Sequence, residues 1–118
     1  MKIKTSEILG PALNWAVAVA AKKLPISHLP SSKHFWSPST IWAQGGPIID
    51  REKIKVAPNL GGTWSAQIRH TKDHPLVAHP VLTGWTNKHG PTPLIAAMRC
   101  YCASVLGDEV DVPEELLK

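Results

Sequence analysis

Residues 90–107, GPTPLIAAMRCYCASVLG, constrain this chain more than any other stretch. Thr92 offers a hydroxyl that can cap a helix, and Pro93 follows at the first helical position, where its missing N–H costs nothing. Gly107 ends the run. These signals agree on one helix, beginning within a turn of Thr92 and closing at Gly107. Leu94, Met98, Tyr101, Cys102 and Val105 form its apolar stripe. Ala96 and Ala103 on the back are small rather than charged, so both faces are expected to be covered. A contact with a second copy of the chain is one way to cover them, and a two-fold homo-oligomer is the simplest expectation.

An earlier segment, Gly10-Pro11 followed by ALNWAVAVAAKK, has the same helix-opening proline. Leu13, Ala16, Val17 and Ala20 share one face, Lys22 and Lys23 suit the last turn, and Pro25 stops the helix. Residues 24–38 read as irregular chain. Ser39 or Thr40 then caps a short helical turn over residues 41–44, which Gly45 stops. Residues 47–52 read as a connection into a strand near 54–57. Asn59-Leu60-Gly61-Gly62 is a turn signal. After it Trp64, Ala66, Ile68 and His70 alternate with Thr63, Ser65, Gln67 and Arg69, the period of a strand. Residues 71–89, with Pro75, Pro80 and Gly84, read as a long loop. Residues 109–113 suggest a short edge strand and 114–117 a final turn. The expected fold class is α+β: two main helices on a small antiparallel sheet, loop-rich, in a single domain spanning residues 1–118.

Composition narrows the function classes. A chain of 118 residues can bury a core without staples. Five tryptophans against one tyrosine and one phenylalanine argue for a heavy core or an aromatic binding surface. The net charge is +4, but the lysines form no run longer than two. Ordinary solvated lysine is therefore preferred to a nucleic-acid surface. No apolar run approaches the roughly 20 residues of a membrane span, and the N-terminus lacks a signal-peptide layout. Cys100 and Cys102 lie about 200° apart around a helix and cannot pair with each other there, which suits a reducing compartment. The expected location is the cytoplasm.

No catalytic constellation is complete. His70, His74 and His79 fall within ten residues, but prolines interrupt any helical convergence on a metal. The cysteines lie among apolar residues, where thiols are inert. No serine has an elbow motif, and Asp50 and Glu52 sit beside Arg51 and Lys53 as solvated charges do. Gly45-Gly46 precedes a proline and lacks the Gly-Lys-Ser of a phosphate loop. The expectation is a protein that is not an enzyme and that uses no metal or cofactor.

A binding site has more support. The helix starts at Ser39-Thr40 and Thr92 offer hydroxyls and N–H groups to an anion. Gly45 and Gly46 permit close backbone approach, Arg51, Arg69 and Arg99 supply planar donors, and Trp42 offers a stacking face. The candidate ligand-binding residues are Ser37, Ser39, Thr40, Trp42, Gln44, Gly45, Gly46, Arg51, Thr92 and Arg99. A structural alternative stays open: Trp42 as core, the glycines as a helix stop, and Arg99 paired with Asp108 or Glu109.

Three blocks, KTSEILGPALNWAVA at residues 4–18, SPSTIWAQGGPIIDREKI at 37–54 and GPTPLIAAMRCYCASVLGDEVDVPEEL at 90–116, carry a resemblance. They resemble the NinX-like family of small proteins encoded by tailed phages and enterobacterial prophages. Where that pattern places an acidic residue before each of two tryptophans, this chain has Asn14 and Ile41. The resemblance transfers no catalytic residue. It implies an accessory protein acting in the cytoplasm of a bacterial host. Two functions follow as expectations: sequestering a small anionic molecule, such as a nucleotide signal of host defence, or binding a host protein or nucleic-acid enzyme to block or redirect it.

Overall fold

The computed structural model describes residues 1–21, 36–72 and 81–117. In chain order these form β1 (Lys2–Lys4), α1 (Gly10–Ala21), α2 (Trp42–Glu52), β2 (Lys55–Pro58), β3 (Trp64–Lys72), β4 (Val81–Gly90), α3 (Pro93–Leu106) and β5 (Glu109–Asp111). A 3-10 turn at Glu114–Leu117 closes the chain. The fold is α+β, with β2, β3 and β4 in one antiparallel sheet and β1 and β5 in a two-stranded ribbon.

The expected C-terminal helix is α3. Thr92 Oγ1 accepts from the Ile95 N–H at 3.1 Å, Pro93 opens the helix, and the Gly107 N–H caps it on the Ala103 carbonyl. α3 packs against β3 and β4 as well as against α1 and α2. Leu94, Ala96, Met98, Cys100, Tyr101 and Cys102 are all buried. Val105, expected in the apolar stripe, is instead 48% exposed. Burial of Ala96 within the chain itself answers why its face carries no charge.

α1 begins at Gly10 with Pro11 in its first turn. It is buried on nearly every side rather than on one face, as a helix apolar all round must be. Residues 22–35, including Lys22, Lys23, Pro25, His28 and His34, lie outside the described residues.

Two expected elements differ in the structure. Gly45 does not end a short turn: α2 continues through Gly45, Gly46 and Pro47 to Glu52, making three helices among the described residues rather than two. Two glycines and an interior proline disfavour a helix by several kcal/mol, about 1 for each glycine and about 3 for the proline. Burial of Ile48 and packing of Ile49 against the core oppose that cost. Neither Ser39 nor Thr40 caps this helix; Ile41 holds the cap position with no side-chain bond. At the other end Lys53 takes the left-handed conformation, φ 54°, and the Ile54 N–H returns to the Ile49 carbonyl at 3.0 Å.

The second correction concerns the expected loop at 71–89. Thr71 and Lys72 extend β3, and residues 81–90 form β4, paired with β3 from Trp64↔Gly90 to Lys72↔Val81. Residues 73–80, with His74, Pro75, His79 and Pro80, lie outside the described residues. The predicted hairpin is present as β2 and β3, in register from Lys55↔Gln67 to Pro58↔Trp64. The predicted edge strand is β5, whose partner β1 brings Lys2–Lys4 beside Glu109–Asp111.

Candidate functional site

α1 and α3 place a loop and two helix starts together. Asn14, a polar residue inside an apolar helix, is buried. Its amide oxygen accepts from the Ser39 N–H at 3.1 Å and the Ser39 hydroxyl at 2.7 Å. Its Nδ2 donates to Ser37 Oγ at 3.1 Å. Ser37 Oγ also meets Thr40 Oγ1, and the Ser37 N–H donates to Gln44 Oε1 at 2.6 Å. The chain entering α2 is thereby fixed onto α1, and the Ser39 hydroxyl proposed as a ligand donor is already spent on Asn14.

Gly45 sits where α2 crosses this loop. A Cβ there would fall well inside contact distance of the Pro38 carbonyl oxygen and 2.7 Å from Leu94 Cδ2. Gly46 has no such neighbour; the nearest atom to a Cβ is Trp42 Cε3 at 4.0 Å. Gly45 thus serves the approach of α2 to Pro38 and Leu94.

A cleft of about 220 Å³ opens between the starts of α2 and α3. It is lined by Ser39, Thr40, Trp42, Thr92, Pro93, Leu94 and Ile95. Trp42 is 58% exposed, and the adjacent Ile41 is exposed as well. Four of the ten candidate residues, Ser39, Thr40, Trp42 and Thr92, therefore meet around one cleft. Ser37, Gln44 and Gly45 build the loop and helix behind it. Gly46 lies on α2, outside the lining.

The two arginines lie elsewhere. Arg99 is 8% exposed and gives its guanidinium to three backbone carbonyls: Ile8 at 2.9 Å, His89 at 2.9 Å and Glu7 at 3.3 Å. Burial lowers its pKa, with nearby Glu7 opposing. It ties α3 to the end of β4 and to the approach to α1. Its partners are thus backbone carbonyls rather than Asp108 or Glu109. Arg51 stands near the far end of α2, about 13 Å along the helix from Trp42. Its Nε donates to Glu52 at 2.8 Å, and Nη2 reaches Tyr101 Oη at 3.4 Å. The bond to Glu52 raises its pKa.

Burial raises the thiol pKa of Cys100 to about 11 and pushes that of Cys102 up as well. Among the described residues no group of three metal-binding side chains converges. No described helix is long and apolar enough to cross a membrane.

The residue missed from sequence is Asn14, which organises the cleft's loop. Its signal was a lone polar side chain in the run ALNWAVAVAA, where an unpaired amide would be costly to bury.

A family model described as Bacteriophage P22, NinX matches residues 4–105. The match spans most of the chain, and the protein belongs to this family of phage proteins. No curated protein matches it.

Proposed function

We propose that this phage accessory protein acts by binding rather than by catalysis, and that the Trp42 cleft receives an apolar side chain of a host protein. The observation that carries this reading is the exposed indole of Trp42 lining one cleft with the apolar residues Pro93, Leu94 and Ile95. The Ser39 hydroxyl is spent on Asn14, the Ser37 and Thr40 hydroxyls meet each other, and among the described residues no charged side chain lines the cleft. A volume of about 220 Å³ is below the 300–1,000 Å³ usual for drug-sized ligands. It is in the range of a single large side chain, the form that interface anchors take. The test is affinity capture by the wild type, by Trp42→Ala and by Thr40→Arg, an exposed position on the cleft. The captured host protein must be lost with both variants and must bind the wild-type chain when purified.

A second reading has its own support: the first turns of α2 and α3 both border the cleft, and helix starts favour negative charge. A small anionic molecule with a planar ring, such as a nucleotide, would stack on Trp42. Thermal protection by a panel of nucleotides, lost with Trp42→Ala, would favour this reading over the first.

Self-association is the remaining proposal. Several alanines of the long helices, Ala16, Ala20 and Ala96 among them, are buried within the chain, so a dimer would use Ile41, Trp42 and other exposed apolar residues instead. Sedimentation of the wild type and of Trp42→Ala distinguishes the two. The setting proposed for all of these activities is the cytoplasm of the host bacterium.

A further inference from the structure

The sheet gathers what the sequence scatters. Ala66 and Ile68 of β3 are buried against α3, so the intervening residues face outward. Strand register then fixes their neighbours. Arg69 stands opposite Trp85, Gln67 lies between Asn87 and Lys55, and Ser65 stands opposite His89. Lys55, Arg69, Trp85, Asn87 and His89 are exposed, with Trp85 at 50%. The Arg69 guanidinium lies over the Trp85 ring, 5.7 Å from its centroid. Among the described outward positions of the three strands there is no carboxylate.

The geometry points to this outer sheet face as a binding surface for single-stranded nucleic acid. Such surfaces combine cations that follow the phosphates with an aromatic face on which a base stacks. Trp85 supplies the stacking face, and Lys55 and Arg69 supply the charge. Gln67 and Asn87 supply amides that can both donate to and accept from base edges. A sheet face of this kind has no helix or ribbon to insert into a duplex groove, whereas unstacked bases can lie on it. These five residues are spread over residues 55–87, which is why no basic run marks them in the sequence. The surface is separate from the Trp42 cleft and stands independently of the function proposed for it.

Fluorescence anisotropy of labelled oligothymidylate and oligouridylate, titrated with the full chain at low salt, tests the proposal. Binding of either strand is expected, with the matching duplex bound more weakly. Trp85→Ala should lower affinity about tenfold or more, while Trp85→Phe retains most of it. Arg69→Gln should reduce the slope of log affinity against log salt by about 0.7, and Lys55→Gln by the same amount. These two positions are exposed, so the salt slope remains readable if Trp85→Ala fails to fold. Trp42→Ala should bind as the wild type does. The proposal is overturned if no anisotropy change appears at high micromolar protein, or if the duplex binds as tightly as the single strand. It is also overturned if binding survives both charge substitutions with the salt slope unchanged.

Discussion

Asn14 holds Ser39 with one amide oxygen, which accepts both the Ser39 N–H and its hydroxyl, at 3.1 and 2.7 Å. Together with the Asn14 Nδ2 bond to Ser37 and the Ser37 N–H bond to Gln44, this contact holds the chain entering α2 onto α1. Replacing Asn14 by Ala leaves two buried donors of Ser39 unpaired. The expected cost is about 2 kcal/mol or more. Equilibrium urea unfolding should show it, and hydrogen exchange should show the Ser39 amide losing protection first. An unchanged midpoint would mean that the loop holds itself.

Arg99 joins three parts of the chain through the carbonyls of Ile8, His89 and Glu7. Arg99→Ala should destabilise the fold by roughly 2–4 kcal/mol, since bonds from a charged donor are worth more than neutral ones. Arg99→Lys should recover little, because one ammonium cannot reproduce the planar fork. Thermal unfolding reads both; a drop of about 10 °C is expected for each. A melting temperature at the wild-type value would contradict this structural role.

Gly45 and Gly46 are adjacent and should behave oppositely. Gly45→Ala drives a methyl into the Pro38 carbonyl and Leu94, and strain of this kind costs about 1–3 kcal/mol. Gly46→Ala meets nothing closer than 4.0 Å and should stabilise the helix by roughly 0.5–1 kcal/mol. Paired denaturation curves give the sign of each. Equal effects would show that helix propensity, rather than close approach, decides both positions.

The contrast between these glycines explains much of what was legible in the sequence. Thr92, Pro93 and Gly107 act locally, so α3 could be read from neighbours alone. The alternation around Trp64, Ala66, Ile68 and His70 likewise revealed β3. α2 could not be read because Gly45, Gly46 and Pro47 are local stop signals, overridden by packing from Pro38, Leu94 and the core around Ile48. β4 was hidden for a different reason. Its inward positions carry Gly84, Thr86, Lys88 and Gly90 rather than apolar residues, so it shows no hydrophobic alternation. The candidate site was half legible: two helix starts and Trp42 do meet. Arg99 fell outside it because its three acceptors are backbone carbonyls, which no side-chain pattern announces.

The cysteines offer a pH-dependent check. Burial raises the Cys100 pKa to about 11 from 9.0 and raises that of Cys102 as well, so both are neutral thiols at pH 8. A thiol-specific disulfide reagent should react with neither in the folded protein and with both after denaturation. The linked stability is fully present below pH 9 and is lost as the pH rises towards 11, because the unfolded chain gives up these protons first. Rapid labelling of the folded protein at pH 8 would contradict the burial described.

In the proposed function Trp42 is exposed for contact rather than for packing. The direct measurement compares binding and stability in Trp42→Ala. With a host protein captured by the wild type and then purified, calorimetric titration should show affinity falling by about 2 kcal/mol or more, as for a buried interface anchor. Thermal unfolding of the free variant should stay within about 2 °C of the wild type, since the indole is 58% exposed. Unchanged affinity with a large fall in stability would contradict the account and make Trp42 part of the fold's support.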